Sequence, residues 1–213
     1  DLAALDNDLF LLEQQRGTVY ISTTKELKAL LGPGSKGSPT DHPILAIAHL
    51  VRPANCDPDQ AGQDWLAAVD ADRNLYLYRQ GRWEKYDLAI FGGASWKGRS
   101  IDLEGYQGNV YALRGEMDQI LKYPCAAYET NQIAWLTDDP RSIKVESALD
   151  MVIDGSIYLL MENGTVLELR QGELKRSLTF QVFPPDLSPT CIFTDPETAH
   201  IYLADRRYGR IIQ

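Results

Sequence analysis

A recurring alternation of apolar strands and acidic turns runs through the whole chain. Each of five segments contains an apolar run, then a turn with an acidic residue, then an aromatic residue between aliphatic ones. Apolar positions with a period of two, filled by β-branched and aromatic residues, are typical of β-strands. The segments are Ala4–Leu12, Ala68–Tyr78, Ile101–Leu113, Met151–Leu160 and Ile192–Leu203. Their central aromatic residues are Phe10, Tyr76, Tyr111, Tyr158 and Tyr202.

A glycine follows each of these aromatic residues by four to seven positions, and a short β-rich run comes after most of these glycines. Because glycine permits the positive φ of a tight hairpin, each segment predicts strand, turn, strand, turn, strand. Two copies add a fourth predicted strand, at Glu26–Leu31 and Glu173–Leu178. The fifth copy has no segment that predicts its fourth strand.

The spacing of the repeat predicts the fold class. Successive central aromatic residues are 66, 35, 47 and 44 positions apart. Three of these intervals lie near the roughly 40 to 50 residues of a four-stranded propeller blade. The sequence therefore predicts an all-β fold, a β-propeller of about five, or six, four-stranded blades. A single β-sandwich is the alternative, but a sandwich requires no such period.

The long first interval contains an additional apolar run, Ile44–Val51, between two polar loops rich in Gly and Pro. We interpret this region as a surface insertion on the second blade. The flanking loops, Gly32–Pro43 and Arg52–Asp64, are then the best candidates for a binding surface.

The chain begins at Asp1, enters a predicted strand at once and stops on another predicted strand. We therefore predict that residues 1–213 are a single propeller domain excised from a longer protein, with covalent neighbour domains.

The net charge and the length of the apolar runs exclude two classes of partner, nucleic acids and the membrane interior. The formal net charge is −9, which repels phosphate backbones and makes nucleic acid a poor partner. No apolar run approaches the roughly 18 residues of a membrane-spanning helix, so we expect no membrane insertion by this domain.

Three widely spaced cysteines, Cys56, Cys125 and Cys191, form no CxxC pair. They are compatible with one disulfide and a free thiol or with three reduced thiols.

One copy of the repeat carries a family resemblance. The segment Leu149–Leu160, followed by Asn163-Gly164-Thr165-Val166, resembles NHL-type and related bacterial six-bladed propeller repeats. With Trp135 upstream, it is also similar to propellers found with protein-phosphatase 2C-type modules. The resemblance implies a propeller fold and implies little about function, because propellers carry many unrelated activities.

The acidic turn residues are candidate metal ligands. A ring of carboxylates could hold Ca²⁺, as in lactonase-like propellers. Asp side chains at such positions also accept backbone N–H bonds within tight turns, and the repeat in phase with the hairpins favours that interpretation. The candidates are Asp6, Asp70, Glu104, Asp154 and Asp195.

The tryptophans and nearby arginines are candidate ligand-binding residues. An indole with a neighbouring guanidinium could bind a sugar, a peptide or a protein partner, whereas a tryptophan between blades would simply belong to the core. The candidates are Trp65, Trp83, Trp96, Trp135, Arg82 and Arg99.

No catalytic motif is present: the serine and glycine segments match neither a nucleophile elbow nor a phosphate-binding loop. We therefore expect a non-catalytic recognition or scaffolding module without a cofactor. It would bind a protein, peptide or small ligand near the central channel, where the loops of the blades meet. The alternatives are a metal-dependent, lactonase-like hydrolase with a Ca²⁺ or Zn²⁺ ion in the channel, and a sensor domain outside the cytoplasm.

Overall fold

The computed structural model describes residues 2–5, 8–22, 26–56, 58–88, 101–179, 188–194 and 200–213. These residues form five β-sheets, and each sheet is built from strands that follow one another along the chain. The first sheet contains β1 (Leu2–Leu5), β2 (Asp8–Glu13), β3 (Thr18–Ser22) and β4 (Leu27–Leu31). The second contains β5 (Ile44–Arg52), β6 (Gln63–Asp70), β7 (Asn74–Arg79) and β8 (Arg82–Asp87).

The remaining strands form three sheets of the same kind. The third sheet contains β9 (Ile101–Tyr106), β10 (Asn109–Arg114), β11 (Gln119–Tyr123) and β12 (Ile133–Ala134). The fourth contains β13 (Ala148–Ile153), β14 (Ile157–Met161), β15 (Val166–Arg170) and β16 (Glu173–Leu178). The fifth contains β17 (Cys191–Thr194), β18 (Ile201–Asp205) and β19 (Arg210–Ile212). The helical segments are short: Pro58–Gln60, Gly115–Met117, Pro140–Ile143 and Val145–Ser147.

The fold is a β-propeller, as the repeat predicts, and the five sheets are its blades. Four blades have four strands each, and the fifth has three among the described residues. Within the described residues, this sheet thus also lacks the fourth strand that the sequence does not predict for the fifth copy.

The interpretation of Ile44–Val51 as a surface insertion is wrong. This run is the first strand of the second blade, β5, and it pairs with β6 from Ile44 opposite Asp70 to Arg52 opposite Gln63. Ile44, Ala46 and Leu50 are fully buried. The first half of this strand, Ile44–Ala48, has no exposed residue and therefore lacks the regular apolar and polar alternation, which is why the run does not match the repeat. Consequently Tyr76 lies on the third strand of its blade, whereas the other four central aromatic residues lie on second strands.

The chain divides into two compact units. The first comprises Asp1–Lys97, Ile101–Ala112 and Lys122–Ile133, and the second comprises Gly98–Ser100, Leu113–Leu121 and Ala134–Gln213. Each has its own apolar core. Phe10, Leu66 and Tyr76 are among the core residues of the first unit, and Leu160 and Leu203 are among those of the second. That residues 1–213 form one domain of a longer protein stays a prediction.

Cys56 and Cys125 form a disulfide within the first unit, and Cys191 is an exposed free thiol. Of the two arrangements that the cysteine count allows, the structure therefore has one disulfide and one free thiol. In the described part of the chain, no helix has the length and hydropathy required to span a membrane.

Candidate functional site

The candidate site lies at one end of the second blade. The loop between β5 and β6 and the turn between β7 and β8 lie at the same end of this antiparallel sheet, because alternate connections of a meander share an end. The turn is a two-residue hairpin in which Gln80 and Gly81 have φ values of 46° and 80°. Two consecutive positive φ values are those of a type I′ turn, which Gly permits at its second position.

These two connections and the adjoining strand ends line a cavity of about 760 Å³ that is open to solvent on one side. Its walls combine two tryptophans with amide, guanidinium and carboxylate side chains, so it offers both apolar surface and hydrogen-bonding groups. The lining residues are Asp59, Gln60, Gln63, Trp65, Arg79, Gln80, Arg82, Trp83 and Glu84.

Arg52 lies behind the wall of this cavity and contacts three of its lining residues, Gln60, Trp65 and Glu84. It is only 4% exposed, and its Nη1 donates to Gln60 Oε1 at 2.9 Å. Its Nη2 donates to Glu84 Oε2 at 2.7 Å and to the Tyr86 hydroxyl at 3.0 Å. The guanidinium carbon lies 4.7 Å from the centre of the Trp65 ring, within the range of a cation–π contact. Arg52 therefore orients groups from the loop, from β6 and from β8 at once.

The charge of Glu84 is stabilised by the same network. Burial by itself would raise the pKa of the Glu84 carboxyl, but hydrogen bonds from Tyr86 and Arg52 and the guanidinium charge hold that pKa below its ordinary value. Tyr86 donates to Glu84 Oε2 at 2.7 Å, and its own pKa is raised by burial and by that hydrogen bond. Glu84 is thus a carboxylate at neutral pH, already engaged by Arg52.

The disulfide fixes the loop between β5 and β6. Cys56 belongs to this loop, and its bond to Cys125 joins it to the segment after β11, with Cα atoms 5.4 Å apart. A side chain at Gly108 would collide with Cys56 Sγ and with the ring of Pro53, so Gly108 permits the close approach. A smaller cavity of about 160 Å³ lies beside the disulfide, lined in part by Arg52 and Tyr128.

Two donors in the wall of the larger cavity lack acceptors among the described residues. They are the indole N–H of Trp65 and the Nε–H of Arg79, and both atoms are buried. Arg79 holds Gln63 Oε1 through its Nη1. A buried N–H without an acceptor costs about 1–3 kcal/mol, so these two groups lower the stability of this end of the blade.

The cavity brings together three of the six tryptophans and arginines that the sequence nominates for ligand binding: Trp65, Arg82 and Trp83. Trp65 is buried, as a core tryptophan would be, whereas Trp83 is half-buried and Arg82 is exposed. Trp83 packs on Tyr78, with ring centroids 4.7 Å apart. Trp135 belongs to the second unit and does not line this cavity. Trp96 and Arg99 lie outside the described residues.

Among the acidic candidates, Asp70 stabilises the turn between β6 and β7 through its side-chain hydrogen bonds. Its Oδ1 accepts the backbone N–H groups of Asp72 and Asn74, each at 2.9 Å, and its Oδ2 accepts from the Tyr76 hydroxyl at 3.0 Å. A metal ion would have to replace these hydrogen bonds.

Asp154 has a similar role, because its Oδ1 accepts from the Ser156 N–H at 3.2 Å and its Oδ2 from the Thr194 hydroxyl at 3.0 Å. Glu104 lies on β9, and Asp6 and Asp195 are outside the described residues. Within the described ranges, no three His, Cys, Asp or Glu residues are grouped so that they could hold a metal ion.

No motif in the sequence points to Arg52, Arg79 or Glu84 as site residues, although the polar loop that starts at Arg52 is a predicted binding surface. Arg52 and Glu84 are 32 positions apart, and neither belongs to a recognisable motif. The one sequence signal that could have indicated these residues is their position at strand ends beside a polar loop. Binding residues in proteins are concentrated at such positions.

Solved structures that resemble this chain have low sequence identity to it, so they show the fold alone. A virginiamycin B lyase from Staphylococcus aureus with quinupristin is 12% identical, with a TM-score of 0.57 over 99% of this chain and 64% of the lyase. A glutaminyl cyclase from Myxococcus xanthus is 14% identical, with a TM-score of 0.57 over 99% of this chain and 87% of the cyclase.

A β-propeller domain, Cps50 (Swd1) from Myceliophteria thermophila, is 10% identical, with a TM-score of 0.57 over 94% of this chain and 59% of that domain. This chain thus spans less than two thirds of the lyase and of the Cps50 domain. No protein-family model matches the chain, and no curated protein matches it. The NHL type of the repeat and an association with phosphatase modules stay predictions.

Proposed function

We propose that this propeller is a recognition module that binds a carbohydrate in the cavity of the second blade. The observation that carries the proposal is the wall of that cavity, where Trp83 and Trp65 occur with Gln60, Gln63 and Arg82. An indole offers an apolar surface to the C–H face of a sugar ring. Planar amides, guanidinium groups and carboxylates supply the donors and acceptors that sugar hydroxyls require.

The exposed polar groups of the wall support the same ligand class. Arg82 is exposed, and its guanidinium can donate to a sugar hydroxyl, while the amide side chains of Gln60 and Gln63 offer both donors and acceptors. The Arg52–Glu84 pair fixes the wall behind these groups.

The disulfide supports a location outside the cytoplasm, because such bonds persist in oxidising compartments and are rare in reducing ones. A carbohydrate-binding propeller of this kind would serve as the recognition or sensor part of a longer protein.

The experiment is a glycan array followed by calorimetric titration of each glycan that binds. Trp83→Ala and Arg82→Gln should each weaken binding at least tenfold, because they remove the stacking surface and a hydroxyl partner. Trp135→Phe and Arg206→Gln, both in the second unit, are the matched controls and should leave the affinity unchanged. Binding that survives both cavity substitutions would refute the site.

The metal-dependent hydrolase remains the alternative, and the same protein preparation tests it. A Ca²⁺-dependent rise in Tm, together with a lactone-hydrolysing activity that a chelator abolishes, would favour the hydrolase over the recognition module.

A further inference from the structure

Two arginines lie opposite each other across the hairpin at the cavity of the second blade. Arg79 ends β7 and Arg82 begins β8, and the strand register pairs them directly, on either side of the two-residue turn. Directly opposite residues of an antiparallel pair project from the same face of the sheet, with Cβ atoms about 5 Å apart. Both side chains line the cavity. The hairpin therefore brings two guanidinium groups together at one end of the blade.

The two arginines repel each other in the free protein, because like charges directly opposite each other destabilise an antiparallel pair. Glu84 lies two positions from Arg82 on the same strand, but its carboxylate is engaged by Arg52 and Tyr86. Among the residues that the structure describes, neither Arg79 nor Arg82 has a carboxylate within ion-pair distance. An anion bound between the two guanidinium groups would offset their repulsion.

A neutral side chain orients the first of these arginines. The Nη1 of Arg79 donates to the Oε1 of Gln63, which also lines the cavity. An amide oxygen fixes the direction of a guanidinium group without neutralising its charge. Arg82 is exposed on the opposite strand. One guanidinium is thus held within the wall, and the second is open to solvent and to a ligand.

The charges at this end of the blade do not balance. The lining residues include the two arginines and two acidic residues, Asp59 and Glu84, and Arg52 lies behind them. Among these five side chains, three guanidinium groups against two carboxylates leave one positive charge. The formal net charge of the whole chain is −9, so its surface repels anions elsewhere and this excess is a local exception. A ligand with a single negative charge would bring the site to neutrality.

We propose that the carbohydrate bound in this cavity is acidic, a uronate whose carboxylate lies between Arg79 and Arg82. This inference rests on the proposed carbohydrate-binding function and specifies its ligand class. Guanidinium groups bind carboxylates through charge-assisted hydrogen bonds, and two opposing arginines offer a donor to each carboxylate oxygen. The carboxylate of a uronate is attached directly to the sugar ring, so it can meet the arginines while the ring contacts an indole of the wall.

The single excess charge favours a carboxylate over a phosphate. A phosphate monoester carries about 1.5 to 2 negative charges at pH 7, which is more than this site balances. Asp59 and Glu84 would repel the remainder. A sulfate ester carries one charge, as a carboxylate does, so the two groups have to be separated by direct comparison of ligands.

Calorimetric titration of matched ligand pairs is the experiment. Trigalacturonate, trimannuronate and a hyaluronan tetrasaccharide are each compared with their methyl esters, which keep the rings and hydroxyl groups but carry no charge. We expect at least one uronate to bind at least tenfold more tightly than its methyl ester, with an affinity that falls as salt is added. Sulfated maltotriose is the sulfate ligand and should bind more weakly than that uronate.

Substitutions separate the charge from the stacking surface. Arg79→Gln and Arg82→Gln should each lower the preference for the uronate over its methyl ester at least fivefold. Trp83→Ala should weaken the binding of both ligands and leave the preference unchanged. Arg82→Lys keeps the charge and should retain most of the preference. Arg206→Gln removes an exposed arginine of the second unit and should change neither affinity.

The possible failures of this inference and of the proposed function are distinguishable. Uronates and methyl esters that bind equally well, and that Trp83→Ala weakens alike, would overturn the acidic ligand and leave carbohydrate binding intact. A preference for uronate that survives in both Arg79→Gln and Arg82→Gln would overturn the inference as well, and so would tighter binding of sulfated maltotriose than of every uronate. Absence of binding by any glycan would refute the proposed function and this inference together.

Discussion

Arg52 and Glu84 join the first and last strands of the second blade, with Nη2 and Oε2 2.7 Å apart. The strand order β5-β6-β7-β8 puts these residues on opposite edges of the sheet. Arg52 reaches Glu84 past the ring of Trp65, which it contacts at 4.7 Å. One buried guanidinium thus connects the first and last strands of the blade at the end that contains the cavity.

Replacing Arg52 should destabilise the protein substantially. Arg52→Met leaves the partly buried Glu84 carboxylate without its counter-charge and the Tyr86 hydroxyl without the guanidinium donor, which costs about 3 kcal/mol. Urea denaturation measures the loss. Arg52→Met with Glu84→Gln should cost less than the sum of the single changes, because the double variant leaves no unpaired charge. Lys85→Met breaks the exposed pair with Asp87 and should change stability by less than about 0.5 kcal/mol. Equal losses in Arg52→Met and Lys85→Met would contradict this.

Acid should weaken the same network. Because the pKa of Glu84 is lowered in the folded state, its contribution is complete above the ordinary value of 4.5 and is lost as the pH falls through the lowered value. The free energy of unfolding, measured from about pH 6 to about pH 3, should therefore fall less steeply in Glu84→Gln than in the wild type. Identical slopes below pH 4.5 would show that Glu84 contributes nothing to the acid sensitivity.

Removing the Cys56–Cys125 disulfide should lower stability more than removing Cys191. The bond closes a loop with a sequence separation of 69, for which the loss of chain entropy in the unfolded state corresponds to about 4 kcal/mol. Cys56→Ser with Cys125→Ser should show this loss in urea denaturation, whereas Cys191→Ser changes an exposed thiol and should be nearly neutral. A double variant as stable as the oxidised wild type would show that the bond does not constrain the unfolded chain.

Two glycines with the same backbone conformation should respond differently to alanine. Gly81 and Gly172 have φ values of 80° and 85° in Gln-Gly hairpin turns. A Cβ at Gly81 meets no atom within 4 Å, whereas a Cβ at Gly172 collides with the Trp135 carbonyl and lies 2.9 Å from the Thr137 nitrogen. Gly81→Ala should cost about 1 kcal/mol from backbone strain alone. Gly172→Ala should cost at least about 1 kcal/mol more because backbone must move. Thermal unfolding of both variants tests the difference, and equal Tm values would contradict it.

The sequence by itself determined the strands and the turns, because both depend on neighbouring residues. The period-two apolar pattern around Tyr111 and Tyr158 and the glycines after them are local signals. Asp70 is likewise predictable as a turn residue, since its backbone partners lie two and four positions away. The blade order follows from repetition of these local units.

The tertiary structure alone decided the site and which apolar side chains are buried. The contact of Arg52 with Glu84 spans 32 positions, the disulfide spans 69, and neither pairing is encoded by adjacent residues. The sequence does not reveal the pairing of the strand Ile44–Arg52, because the first half of this strand is covered on both faces and carries no alternation. Leu9 and Leu12 are the same residue type three positions apart, yet one is 42% exposed and the other 3%. Only the packing of one blade on the next determines which leucine faces solvent.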